Sequence, residues 1–169
     1  MEENAILNNL AYDEKGGTLR YKGVRYLLIR PETLGELLKA VEPVAGEQAG
    51  EALYRGGFEG GRLSTTTYRE VHGFSDREII DFMMRMGREI GWGRLSLERY
   101  SPDPGRMEVR VEGSAFAAAY GPSSRPVCHL IRGVVAGMAS VLLGRECRAV
   151  ETACEAVGDP CCRFTLSGA

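Results

Sequence analysis

The segment Glu151-Thr-Ala-Cys154-Glu-Ala-Val-Gly158-Asp-Pro-Cys161-Cys162-Arg-Phe-Thr-Leu166 places the tightest constraint on how this chain can fold. Two short runs of strand-like composition flank Gly158-Asp-Pro160, a turn signal, so the segment reads as a hairpin. With the turn centred near Gly158, Cys154 and Cys162 fall opposite one another. Facing residues in an antiparallel pair have Cβ atoms about 5 Å apart, close enough for two thiolates to share a metal ion. Glu151 stands three residues before Cys154. Residues at that spacing point to opposite faces of a regular strand, so a shared metal requires a bulge or bend between them.

Cys128 can supply a fourth donor. It follows Pro126 at the start of the longest apolar run, residues 126–144. Proline fits a helix start because its missing N–H is one of the unpaired donors there, and the positive end of the helix dipole stabilises a thiolate. Cys128, Glu151, Cys154 and Cys162 together match the number and type of donors in a closed zinc site. The competing reading is packing, because cysteine is among the most buried residue types and the chain has five. Cys161, beside Cys162, faces the other way in a strand, and Cys147 lacks the helix-start position. Both read as free buried thiols. Four protein donors leave no open coordination position, so the expected zinc is structural, tying the long helix to the terminal hairpin.

At 169 residues the chain can bury a substantial core without disulfide staples. A formal net charge of −2 with interspersed signs gives neither a basic footprint for nucleic acid nor a polybasic membrane patch. Met1-Glu-Glu-Asn4 is acidic where a secretory leader is positive, and an odd cysteine count suits a reducing compartment, so a cytoplasmic location is expected. Residues 126–144 have the length of a membrane span and contain Gly133-x-x-x-Gly137. Yet Arg132, His129 and Ser140 lie within them, and an intramembrane arginine is costly, so a buried helix of a soluble domain is the better reading.

Residues 19–21 and 24–29 read as a hairpin through Lys22-Gly23. Pro31 opens a helix carrying Leu34, Leu37, Leu38 and Val41, ended by Pro43. A second helix runs from about residue 45 towards Phe58, where glycines 56, 57, 60 and 61 either break it or permit close packing. Ser75-Asp-Arg-Glu78 is a capping box for a helix carrying Ile79, Ile80, Phe82, Met83, Met86 and Ile90, ended by Gly91 and Gly93. Strands follow at 94–100 and 107–111, joined by a Pro102-Asp-Pro-Gly105 turn. A short helix at 114–120, the long helix at 126–143 and the final hairpin complete the chain. With no repeat or linker, residues 1–169 read as one α/β (α+β) domain, an antiparallel sheet packed with helices.

Between 91 and 164 stand Gly91-Trp-Gly93, Gly113-Ser-Ala-Phe116, Pro126-Val-Cys-His129, Arg132-Gly133, Ala136-Gly137, Leu143-Gly144, Glu151-x-x-Cys154 and Gly158-Asp-Pro-x-Cys162-Arg-Phe164. This pattern resembles the 4-vinyl-reductase domain, a small-molecule-binding module that also serves as the sensor of aromatic-responsive transcription activators. The motif-rich part is 91–167, and a looser match continues upstream through 19–30 and 51–61. The resemblance implies a fold similar to transport-particle subunits and nitric-oxide-sensor domains. In the family's zinc-containing sensors a Cys begins a helix, and a Glu-x-x-Cys and a further Cys follow. Cys128, Glu151, Cys154 and Cys162 match those places without a gap.

The resemblance also implies an apolar ligand pocket, for which Phe82, Met86, Trp92, Val111, Phe116 and Tyr120 are the candidates, with Met83 and Tyr100 nearby. Without it, a methionine and aromatic stripe at helical spacing is ordinary core. Phenol-sensing relatives clamp the ligand hydroxyl with a His and a Trp, and aligning on the cysteines puts Gly87 and Val111 there. A larger or more apolar ligand than phenol is therefore expected. The favoured reading is a stand-alone sensor for a hydrophobic or aromatic molecule, homodimeric through residues 31–61, with its output in a separate protein. The resemblance also leaves open an accessory protein or reductase acting on a vinyl-bearing tetrapyrrole, or an assembly module. Reduction would need an external reductant, because no nicotinamide or flavin fingerprint is present. No nucleophile–base constellation surrounds His72 or His129, so catalysis is the less expected role, and His129 reads as a surface or supporting residue.

Overall fold

The computed structural model describes residues 3–103 and 105–168. A short helix, α1 (Ala5–Asn8), is capped by the Asn4 side chain, which accepts from the Leu7 amide. Three short strands, β1 (Ala11–Asp13), β2 (Thr18–Tyr21) and β3 (Val24–Tyr26), then form an antiparallel sheet in that order. The expected β2–β3 hairpin turns at Lys22 and Gly23, whose φ values of 49° and 78° are the paired left-handed conformations a two-residue turn demands. Its second strand stops at Tyr26 rather than at 29. Leu27 and Leu28 point to solvent, with 81% and 72% of their surface exposed, so no sheet face recruits them.

Helix α2 (Pro31–Ala45) passes through Pro43 and ends at Gly46, φ 56°, rather than at the proline. Pro43 lies in the last turn, where few following residues depend on continued helix. Of its expected stripe, Leu38 is buried while Leu37 and Val41 are exposed. Helix α3 (Glu47–Glu70) runs unbroken through all four glycines. Ser75 caps α4 (Asp76–Glu89) with both capping-box bonds in place. Strands β4 (Arg94–Ser101) and β5 (Arg106–Glu112) follow, then α5 (Ala115–Tyr120), α6 (His129–Leu143), β6 (Cys147–Ala153) and β7 (Cys162–Gly168). Of the turn expected between β4 and β5, Pro104 lies outside the described residues, while Gly105, φ 82°, donates to the Ser101 carbonyl.

The larger sheet is antiparallel throughout, in the order β4-β5-β7-β6. Register pairs Met107 with Leu166, Val109 with Phe164 and Val111 with Cys162, so one face of β5 and β7 is fully buried. The other face carries cross-strand ion pairs such as Arg163–Glu98 and Arg94–Glu112. The fold is thus the expected α+β class, an antiparallel sheet packed against helices.

The glycines explain how α3 and α6 pack. A Cβ on Gly57 would stand 2.2 Å from the Leu130 carbonyl oxygen, and one on Gly61 2.2 Å from that of Val134. Reciprocally, a Cβ on Gly133 or Gly137 would meet the carbonyl oxygens of Tyr54 or Phe58 at 2.0 Å. The two backbones therefore touch, and the glycines are required for that approach. Gly133-x-x-x-Gly137 serves packing inside the domain. Among the described residues no helix is long and apolar enough to cross a membrane.

Candidate functional site

Cys128 occupies the N-cap of α6 (φ −80°, ψ 45°). The helix begins at His129, three residues later than the position of Pro126 suggested, and the Cys128 carbonyl accepts from the Arg132 amide at 3.0 Å. The thiol remains at the positive end of the helix, though before its first turn instead of within it. On the hairpin, Glu151 pairs with Phe164 and Ala153 with Arg163, and the register shifts between them. Thr152 is the extra residue of a bulge. This is the distortion needed for Glu151 and Cys154 to face the same side.

Cys154 then caps a 3-10 turn, Glu155–Val157. Its amide donates to Asp159 Oδ2 at 2.8 Å and its carbonyl accepts from the amides of Val157 and Asp159. Gly158, φ 105°, and Asp159 thus shape the turn that brings Cys162 back. One donor atom from each of Cys128, Glu151, Cys154 and Cys162 lies within 4.8 Å of all the others, and all four residues are buried. The Sγ atoms of Cys128 and Cys162 are 3.6 Å apart. A tetrahedral site with Zn–S arms near 2.3 Å has an edge of about 3.8 Å, so this spacing suits a shared ion.

The electrostatics point the same way. Four acidic groups share one buried volume and cannot all ionise without a cation. Hydrogen bonds to Cys154 and Cys162, then burial, push the Cys128 thiol far above its ordinary range. Cys154, accepting from Cys128 and Cys162, is held far below it. Burial, reinforced by Cys154, raises Glu151 to about 8. Glu151 Oε2 accepts from the Cys128 amide at 2.9 Å, whereas Oε1 is buried with no hydrogen-bond partner. An orphaned carboxylate oxygen beside three thiols fits a soft divalent cation. Surrounding groups support the donors. Ser114 Oγ lies 3.3 Å from Cys128 Sγ, and the Glu155 amide donates to Cys162 Sγ at 3.4 Å. The Glu155 carboxylate accepts from the amides of Gly113 and Ser114, joining the hairpin to α5. Cys147 and Cys161 are buried free thiols outside the cluster.

The six pocket candidates are distributed over several places. Phe82 packs against Tyr68, Phe74 and Tyr21, with ring centroids 4.4, 5.9 and 6.4 Å away. Met86 Sδ accepts from the Tyr26 hydroxyl at 3.6 Å. Val111 is fully buried in β5, against Gly93. Trp92 and Phe116 form an edge-to-face pair at 5.4 Å, and the Tyr120 hydroxyl donates to Glu42 at 2.6 Å. At Gly87 a Cβ would stand 2.7 Å from Leu95 Cδ2, so a leucine fills the space beside one of the two aligned clamp positions. Phe116 instead borders an apolar recess of about 20 Å³ with Leu34, Leu38, Leu53, Val127 and Leu130. Sequence reasoning missed those five partners, although the α2 stripe pointed at Leu34 and Leu38. His129 opens onto a separate polar cleft, and burial lowers its pKa to about 4, with Arg132 and Arg125 adding to the effect.

The fold and the cluster define an α+β domain with a thiol–carboxylate clamp between a helix start and a terminal hairpin. Residues 107–167 match the model of the 4-vinyl-reductase domain family, the family that the motifs resemble. The phenol-responsive sensory domain of the transcription activator PoxR, solved with phenol, is similar over 96% of this chain and 86% of its own, at 24% identity and TM-score 0.81. Subunit 3 of a trafficking protein particle complex from Naegleria fowleri, covalently bound to palmitic acid, is similar over 82% of this chain and 95% of its own, at 10% identity and TM-score 0.57. A vinyl-4-reductase family protein from Methanocaldococcus jannaschii is similar over 87% of this chain and 99% of its own, at 14% identity and TM-score 0.53. At these identities the likeness is one of fold. No curated protein matches the chain.

Proposed function

We propose that residues 1–169 form one cytoplasmic sensor domain that binds a hydrophobic or aromatic small molecule and holds a structural zinc at Cys128, Glu151, Cys154 and Cys162. The observation that carries this reading is the shared fold with the phenol-responsive sensory domain across 96% of the chain. The zinc would clamp α6 to the β6–β7 hairpin and supply folding energy rather than reactivity. Its site is separate from the place for an organic ligand. With Leu95 against Gly87, phenol would lack the room and the clamp its sensor provides, and the recess at Phe116 is the better apolar entry. That recess holds about one water as it stands, against several hundred Å³ for a typical ligand pocket. Ligand entry therefore requires the side chains around that recess to part.

The reading includes a homodimer and a separate output protein. Exposed Leu37, Val41 and Val44 on α2, with Leu27 and Leu28 before it, support self-association. Within residues 31–61, Gly35, Gly57 and Gly61 are not free for such a contact, because they pack against α5 and α6 of the same chain. The test is thermal melting and native mass spectrometry with a graded panel of aromatics, long-chain hydrocarbons and tetrapyrroles. A hydrophobic member should raise Tm with concentration, because it binds only the folded state, and phenol should do little. Phe116→Ala should weaken that effect with zinc content unchanged. A panel without any stabilising or co-purifying member would remove the sensor reading in favour of assembly.

A further inference from the structure

The four clustered donors differ in how they meet solvent. Cys128, Cys154 and Cys162 are fully sealed, whereas Glu151 keeps 8% of its surface exposed. Glu151 is also the member of the cluster that borders an open polar cleft of about 590 Å³. The end of α2, the first turns of α3, the start of α6 and the edge of β6 line that cleft. A cation among sealed thiols can enter or leave only if a protein group gives way.

The bonds on each side of the cluster decide which group yields. On the hairpin side the turn is fastened repeatedly. The Cys154 amide donates to Asp159 Oδ2 at 2.8 Å, and the Glu155 carboxylate accepts from the Gly113 and Ser114 amides at 2.7 and 2.8 Å. The Ala156 carbonyl accepts from the Ser123 amide at 2.8 Å, and opening this side breaks all of these bonds together. On the cleft side, Glu151 Oε2 accepts from the Cys128 amide at 2.9 Å, and Oε1 has no partner. Rotating that side chain breaks one hydrogen bond and leaves the backbone pairing of Glu151 with Phe164 in place. A carboxylate is also a harder donor than a thiolate, and so the one a soft cation holds less firmly. Glu151 is the member that moves at least cost.

The cleft outside it suits a cation. Glu42 is paired with Arg125 and Glu51 with Arg55, which leaves exposed Glu47 as an unpaired carboxylate at the mouth among the described residues. His129 Nδ1 and Arg132 Nε are sealed and donate nothing into the space.

We propose that Glu151 is the gate of the metal site, its side chain swinging towards the cleft so that a divalent cation is exchanged through the opening. The gate rests on the zinc reading of the four donors, so metal content is measured first, and a parent without zinc would remove both. The zinc-loaded protein is then mixed with the anionic chelator EDTA, and bound metal is followed with time. At an ionic strength of about 0.01 M, where charges act over about 30 Å, Glu47→Lys should draw the chelator in and speed transfer at least threefold. Glu70→Lys makes the same charge change at the far end of α3, about 35 Å away, and should leave the rate unchanged. At about 1 M, where the range falls to about 3 Å, both should match the parent. Starting zinc content should be equal in all three proteins. Glu151→Gln, which keeps the side chain's size but weakens its hold on a cation, should speed transfer at least tenfold. Glu155→Gln, which loosens the turn, should stay within twofold of the parent. Equal acceleration by Glu47→Lys and Glu70→Lys, no effect of Glu47→Lys at low ionic strength, or faster transfer in Glu155→Gln than in Glu151→Gln would each overturn the proposal.

Discussion

Gly137 on α6 and Phe58 on α3 meet backbone to backbone, so that a Cβ on the glycine would stand 2.0 Å from the Phe58 carbonyl oxygen. Neither side can yield, because the carbonyl belongs to a continuous helix. Gly137→Ala should cost about 3 kcal/mol, the upper end of ordinary overpacking. Gly56→Ala and Gly60→Ala, which meet open space on the exposed face of α3, should each stabilise by about 0.5–1 kcal/mol. Denaturant unfolding measures both, and similar effects at Gly137 and Gly56 would contradict the packing account.

Elemental analysis of the purified protein should find about one zinc per chain. Cys154→Ser and Cys162→Ser should lose metal and thermal stability together, since the site forms only on folding. Cys147→Ser and Cys161→Ser should retain the metal. Equal loss in all four variants would refute the ligand set.

The capping box at α4 makes a pH-dependent contribution of known sign. Hydrogen bonds from Ser75, side chain first and then backbone, lower the Glu78 pKa. A lowered folded-state value means stabilisation that is fully present above the unfolded pKa of about 4.3 and is lost as pH falls through the folded value. Glu78→Gln should therefore lose stability at neutral pH, and the gap to the parent should shrink in acid. Urea melts at about pH 7 and about pH 3 decide it, since those values lie on either side of the unfolded carboxyl pKa. A gap that persists unchanged at the lower value would be the contrary result.

Light scattering at micromolar concentration should give the mass of two chains for the parent protein and of one for Leu37→Asp/Val41→Asp, because a charge on that exposed row disfavours apolar association. A parent mass of one chain would reject the homodimer.

Local chemistry was readable from the chain alone. The Ser75–Glu78 box, the Lys22-Gly23 turn and the nearness of Cys154 to Cys162, although Cys154 lies beyond the end of β6, depend on residues close in sequence, where backbone preferences and hydrogen-bond reach decide the outcome. Even the bulge at Thr152 followed from requiring Glu151 and Cys154 to share one side of a strand. Other outcomes needed the whole fold. The sequence left open whether the α3 glycines break a helix or admit another, because a glycine permits both and only the arrival of α6 selects one. The pocket candidates share apolar character, but which apolar side chains leave a space between them depends on packing. Here Leu95 lies against Gly87 and Phe82 joins the Tyr68 cluster, while Phe116 borders a recess with α2. The unpartnered nitrogens of His129 and Arg132 were equally beyond sequence reading, since satisfaction of a hydrogen bond depends on every group that the tertiary structure brings, or fails to bring, within reach.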